Sequence, residues 1–194
     1  ERAGICVDEI FRYHVHPELK CVLENVAVDG SARLYYTEGR VVNPGHDIEG
    51  VWFLLEHARR TGDKELVSRA EEIFNWAINA GWDKEYGGIF YFMDRKGYPQ
   101  QQLEWDQKLW WVHIESAIAM LKGYALTGNG ECLRWFEKLD GYMWSHFKDR
   151  EYPEWFGYLN RRGEVLLPLK GGKWKGCFHV PRGLYQMWKM LEQM

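Results

Sequence analysis

Three of the seven histidines occupy one address in the sequence. Counted from Gly30, Gly97 and Gly163, fifteen residues intervene before His46, His113 and His179. An imidazole titrates near neutrality, so it can both remove and return a proton. Several of them around one cavity would work on both faces of a bound molecule. Pro44 and Gly45 precede His46, and Pro181 follows His179, which places these rings at helix starts, where proline is favoured. A helix N-terminus disfavours imidazolium, so the rings are expected to be neutral. Glu49, one turn after His46 on the same helix face, is expected to orient that ring or to hold a substrate hydroxyl. Glu115 lies two residues from His113 and therefore points away from it, while Trp110 and Trp111 stand alongside.

His179 sits in "KGGKWKGCFHVPR", residues 170–182, which invites other readings. A phosphate loop would need GxxxxGK[ST], which is absent. Lys170, Lys173 and Lys175 read as the approach to a helix or as a solvated basic loop. Cys177 reads as a packing residue, since sequence neighbours rarely make a Cys–His pair. A three-histidine metal site needs three nitrogens within about 2.1 Å of one ion, which separate helices seldom provide, so no metal is expected. Glu49 and Glu115 could form the carboxylate pair of a glycoside hydrolase, but the repeated histidines would then be unexplained. His14 and His16 read as structural; His57 lies mid-helix and His146 at a helix end, and neither repeats.

The histidines are carried by a repeat. At an offset of 66 residues Glu49 meets Glu115, Thr61-Gly62 meets Thr127-Gly128, Asp83 meets Asp149, and Gly97 meets Gly163. Each unit opens with an apolar-faced helical segment that stops at Thr-Gly. A second helix follows, over about Asp63 to Ala80 in the first unit. Alternating segments, "GGIFYFMDRKG" and "EWFGYLNRRG", then read as short hairpins. A partial earlier unit shows "GICVDEIFRYHVH" and the hairpin "CVLENVAVDG"; a partial later one supplies the helix "PRGLYQMWKMLEQM". Helix pairs at this period predict an all-α, α/α toroid in which inner and outer helices alternate around a cavity. Such a ring closes with about six pairs and this chain supplies roughly three. The expectation is one domain, residues 1–194, forming the C-terminal half of a longer barrel whose N-terminal half completes the cleft.

Composition narrows the classes. Aromatic residues make up 16% of the chain, with 11 Trp and 11 Tyr, as suits a cleft that stacks flat rings on sugar faces. A net charge of −3 offers no basic face for nucleic acid. No apolar run approaches the roughly 18 residues of a membrane span, and no signal segment opens the chain. Cys6, Cys21, Cys132 and Cys177 lack metal or disulfide spacing and read as reduced thiols of a cytoplasmic protein.

The stretches "NPGHDIEGVWFLLEHARRTGD", "QLEWDQKLWWVHIESAIAMLKGY", "EYPEWFGYLNRRGEV" and "LKGGKWKGCFHVPRGLYQM" together resemble the N-acylglucosamine 2-epimerase family, on the branch that includes renin-binding protein. The resemblance runs in order from about residue 20 to the end and corresponds to the second half of that family's chain. It implies an (α/α)6 barrel that interconverts N-acetylglucosamine and N-acetylmannosamine. The histidines of "NPGH" and "CFHVPR", here His46 and His179, would be the acid/base pair. Glu49, Trp110, Trp111 and Glu115 would line the sugar cleft, with His113 touching substrate and Arg182 steadying an enediolate oxygen. No cofactor is required; ATP enters by resemblance as an allosteric activator, without a recognisable site. Alternatives are a related sugar 2-epimerase, an aldose–ketose isomerase, or a non-catalytic renin-binding-like protein. The oligomeric state stays open, a homodimer included, and the isolated chain is expected to be inactive.

Overall fold

The computed structural model describes residues 1–194. Its helices are α1 (Arg2–Glu9), α2 (Pro44–Thr61), α3 (Lys64–Gly81), α4 (Trp110–Thr127), α5 (Gly130–His146) and α6 (His179–Leu191). α2, α4 and α6 form an inner layer in which α4 packs between the other two, and α3 and α5 back α2 and α4 from outside. The sequence explains why α4 is central. Residues Trp110 to Leu121 are buried without a break, and a helix apolar all round must be enclosed by neighbours. α3 instead buries one stripe, Leu66, Ala70, Ile73, Phe74 and Ala77, at helical spacing.

The inner-to-outer connections are built identically. Gly62 (φ 73°) ends α2 and Gly128 (φ 69°) ends α4, each in the left-handed region that glycine enters without strain. The next residue caps the outer helix: Asp63 accepts from the Leu66 N–H at 2.9 Å and Asn129 from the Glu131 N–H at 3.0 Å. One glycine and one cap thus reverse the chain. The expected second helix over Asp63 to Ala80 is found one residue later, with Asp63 outside it as the cap.

The opposite, outer-to-inner connections are long, and here the hairpin reading holds only in part. "EWFGYLNRRG" does turn back on itself: β6 (Tyr158–Leu159) pairs with β7 (Val165–Leu167) and also with β5 (Lys108–Leu109). "GGIFYFMDRKG" makes no hairpin of its own; β4 (Met93–Asp94) pairs with β3 (Val41–Val42) from the preceding unit. Likewise β2 (Cys21–Val22) pairs back to β1 (Val15–His16). The strands stitch one repeat to the next because their edges meet before each inner helix begins. No helix is long and apolar enough to cross a membrane.

Two buried polar ties hold the 82–109 connection. The Lys108 ammonium is fully enclosed, 3.1 Å from Asp83 Oδ2 and 3.8 Å from the centre of the Phe90 ring, and burial pushes it down to about 8. His113 is also fully buried. Its Nε2 accepts from the Ile89 N–H at 2.9 Å, which leaves Nδ1–H to donate to the Leu109 carbonyl at 2.7 Å. The ring stacks on Tyr142 with 13° between planes. Both nitrogens are committed to a neutral ring, and burial drives its pKa down to about 3.

That geometry fixes a pH signature. An unfolded His113 gains its proton near 6.5 and the folded one only near 3, so its stabilisation is complete above pH 6.5 and drains away as pH falls toward 3. His113→Leu leaves the Ile89 N–H and the Leu109 carbonyl without this partner, at a cost of about 2 to 5 kcal/mol near pH 7.5. In denaturant titrations the gap between the two proteins narrows as the pH drops below 6.5; a constant gap would contradict the assignment.

Candidate active site

The two remaining histidines of the repeated address meet at one cleft of about 590 Å³ on the mouth side of the inner helices. Their placement begins with the N-terminus of α2. The Asn43 side chain accepts from the N–H groups of Gly45 and His46, at 3.0 and 3.2 Å, and Pro44 occupies the first turn. Gly45 is needed for space: a Cβ there would stand 2.8 Å from both Trp111 Cη2 and Val112 Cγ2. The absent side chain lets α2 seat against Trp111, whose indole forms the floor. The His46 ring lies 5.1 Å from it on one side and His179 6.0 Å away on the other, tilted by 34° and 38°.

Each imidazole is gripped from behind through Nδ1. His46 Nδ1 is 2.9 Å from Glu24 Oε1, and His179 Nδ1 is 2.6 Å from Glu115 Oε1. A carboxylate accepts only, so each Nδ1 carries hydrogen and the exchangeable site is Nε2. The two carboxylates differ in company. Glu115 is fully buried and also receives the Trp52 Nε1–H at 2.9 Å and the Arg182 guanidinium. Glu24, a quarter exposed, holds His46 alone among side chains. The Glu24 hydrogen bond, opposed by burial, raises His46 above the usual imidazole range. The helix N-terminus is expected to disfavour imidazolium, and the carboxylate at hydrogen-bond distance shifts this ring in the opposite direction.

Glu49 lies between the histidines on the cleft wall. Burial first, and then the charge of Glu115, hold its carboxyl above the usual range, with His179, His46 and Arg182 opposing. Trp110, Tyr158, Tyr91 and Leu109 complete the walls, and Glu104, Gln107 and Trp174 form the rim. The lining holds two carboxylates and no lysine or arginine. Glu49, Glu115 and His179 each bring a ligand atom within 4.8 Å of the others, the one grouping with a metal-like donor set. The Arg182 guanidinium already supplies the positive charge on that Glu115 oxygen.

Several sequence expectations change here. His46, His179, Glu49, Trp110 and Trp111 line the cleft. His113 does not, and cannot touch substrate from its buried seat. The glycine count measured loop length and does not fix direction: His46 is the third residue of α2, His113 the fourth of α4 and His179 the first of α6. His113 turns its ring into the core, against Tyr142 and Phe147. Glu115 and Arg182 stand behind His179 instead of facing the cleft. Glu24, not Glu49, orients His46. Cys177 is exposed and packs no core. Sequence reading missed Glu24, Tyr91, Glu104, Gln107, Leu109, Tyr158 and Trp174 as site residues. Glu104, Gln107, Leu109, Tyr158 and Trp174 did lie inside distinctive stretches, "QLEWDQKLWW", "EWFGYLNRRG" and "KGGKWKG".

The chain is similar to known proteins along nearly its whole length. The profile of the N-acylglucosamine 2-epimerase (GlcNAc 2-epimerase) family matches residues 5–181. The N-acylglucosamine 2-epimerase of Mus musculus is 48% identical over 180 residues, covering 92% of this chain and 42% of the mouse protein. That of Bos taurus is 47% identical over 190 residues, covering 97% and 44%. Among solved structures, the cellobiose 2-epimerase of Bacillus thermoamylovorans superposes with a TM-score of 0.78 at 18% identity, over 98% of this chain and 46% of that one, which identifies the fold as that of the (α/α)6 barrels. The chain spans less than half the length of these relatives. By its sequence match and its fold, it belongs to the N-acylglucosamine 2-epimerase family.

Proposed function

We propose that the protein carrying this chain inverts C2 of an N-acylated hexosamine, interconverting N-acetylglucosamine and N-acetylmannosamine, with His46 and His179 as the two proton carriers. The observation that carries the reading is the pair of imidazoles, each with Nδ1 fixed on a carboxylate, flanking one indole floor. In the ring-opened sugar the C2 hydrogen is acidified by the adjacent aldehyde. One Nε2 takes that proton, the C–H electron pair forms the C1=C2 bond, and charge moves to the C1 oxygen. The other Nε2–H then protonates C2 from the opposite face as the carbonyl re-forms. Atoms and charge balance without a redox partner or metal. Glu49, on the cleft wall between the histidines, is placed to hold a substrate hydroxyl. Aromatic walls suit pyranose faces, and a lining without lysine or arginine suits an uncharged sugar. ATP as an activator, a homodimer and a reducing, cytoplasmic compartment belong to the same proposal through the family resemblance; the four free thiols accord with that compartment.

Two measurements test this in the full-length protein. In deuterated water, His46→Asn and His179→Asn each lower exchange at C2 of N-acetylmannosamine by about 10²- to 10⁴-fold with circular dichroism unchanged. Undiminished exchange in either variant removes that residue from the mechanism. With an unsubstituted aldose such as mannose in place of the N-acyl sugar, appearance of a ketose with label at C1 would reassign the reaction to aldose–ketose isomerisation. Glu115→Gln keeps the shape but removes the charge behind His179; it lowers kcat by about 10- to 100-fold with KM nearly constant. A rise in KM alone would return Glu115 to a direct substrate contact.

A further inference from the structure

We infer that Glu24 is a positioning residue that makes His46 the resting proton donor of the pair and leaves His179 the resting acceptor. The inference rests on the proposed two-histidine reaction but is argued from the asymmetry of the two carboxylates. Glu115 gives one oxygen to both His179 and Arg182, so a cation already shares its charge and would repel an imidazolium next to it. Glu24 has no such cation, and the one side chain it hydrogen-bonds is His46. Glu24 is held for this task. Leu23, almost fully buried, anchors it on one side, and its own backbone N–H reaches the Val41 carbonyl just before α2. The Asn25 side chain bonds the Glu38 carbonyl on the other side.

The remaining charges around His46 point the same way. Glu49, one turn along α2, adds negative charge. Across the cleft stand His179 and, behind it, the mutually compensated Glu115 and Arg182. Glu104 and Tyr91 face in from the 82–107 connection. Asp47, adjacent in sequence, is buried, and burial followed by the charge of Glu24 holds its carboxyl well above the usual range.

The consequence is directional. The resting protein deprotonates the epimer whose C2 hydrogen faces His179, and His46 delivers its Nε2 proton to the opposite face. After that turnover His179 carries the proton and His46 is neutral, with Nδ1–H still on Glu24. Exchange with water restores the starting state.

The experiment is a pH titration of the ¹⁵N-histidine resonances of the full-length protein, without sugar, for the parent and for Glu24→Gln. His46 is expected to lose its proton at a higher pH than His179. Glu24→Gln lowers the His46 midpoint by about one pH unit or more and leaves His179 in place. Equal midpoints in the parent, or an unmoved His46 in Glu24→Gln, would overturn the inference. Kinetics supply the second readout. Glu24→Gln lowers kcat about 10- to 100-fold, moves the basic limb of the kcat profile to lower pH and changes KM little, while Glu24→Asp recovers the limb in part. A fall in thermal midpoint with an unmoved limb would make Glu24 merely structural. If the titration behaves as stated and the parent exchanges no C2 hydrogen, the dyad stands and the epimerase reading fails.

Discussion

One buried carboxylate joins all three inner helices. Glu115 rises from α4, takes the indole N–H of Trp52 on α2 and receives His179 and Arg182 from α6. A charge removed from water must be compensated by donors of good geometry, or the fold does not keep it. Here the compensation requires three helices in register, so the electrostatic demand of one side chain sets the relative placement of α2, α4 and α6. The cleft inherits its shape from that demand. His179 stands where it does because Glu115 needs it there, and Trp111, four residues earlier on α4, is carried under both imidazoles.

The same chemistry recurs on the opposite wall with a different owner. His46 answers to Glu24, which comes from a loop between short strands and not from an inner helix. The two dyads are alike in the atoms they use and unlike in their surroundings: one is enclosed and cation-compensated, the other half-open and uncompensated. Two identical side chains thereby sit in different electrostatic surroundings.

Much of the architecture was legible in the chain. The Thr-Gly stops, the second helix that follows them and the alternation of inner and outer helices are local signals, set by backbone conformation and burial, and they survive folding. His46 and His179 were legible because each marks the entry to an inner helix. His113 misled because a count along a loop says nothing about the direction a ring takes on the helix that follows; its ring is enclosed by Tyr142 and Phe147 in the core. Glu24 was silent for a different reason. Its partner is 22 residues away, and nothing in "VLENV" marks a carboxylate that folding will bring to an imidazole. Strand pairing between successive repeats was equally hidden, because short strands carry too little periodicity to name their partners.

The minimal turns at one end of the helix pairs have a counterpart in the long connections at the other. A glycine followed by a cap leaves no slack, so insertions there would uncouple an inner helix from its backing helix. The segments 82–107 and 147–178 carry no such constraint along most of their length, and they supply Tyr91, Glu104, Gln107, Tyr158 and Trp174 to the cleft. The two imidazoles at the helix starts are thus carried by different segments from much of the surrounding cleft wall. Such a scaffold can rewrite its rim, residue by residue, while the paired side chains beneath stay put.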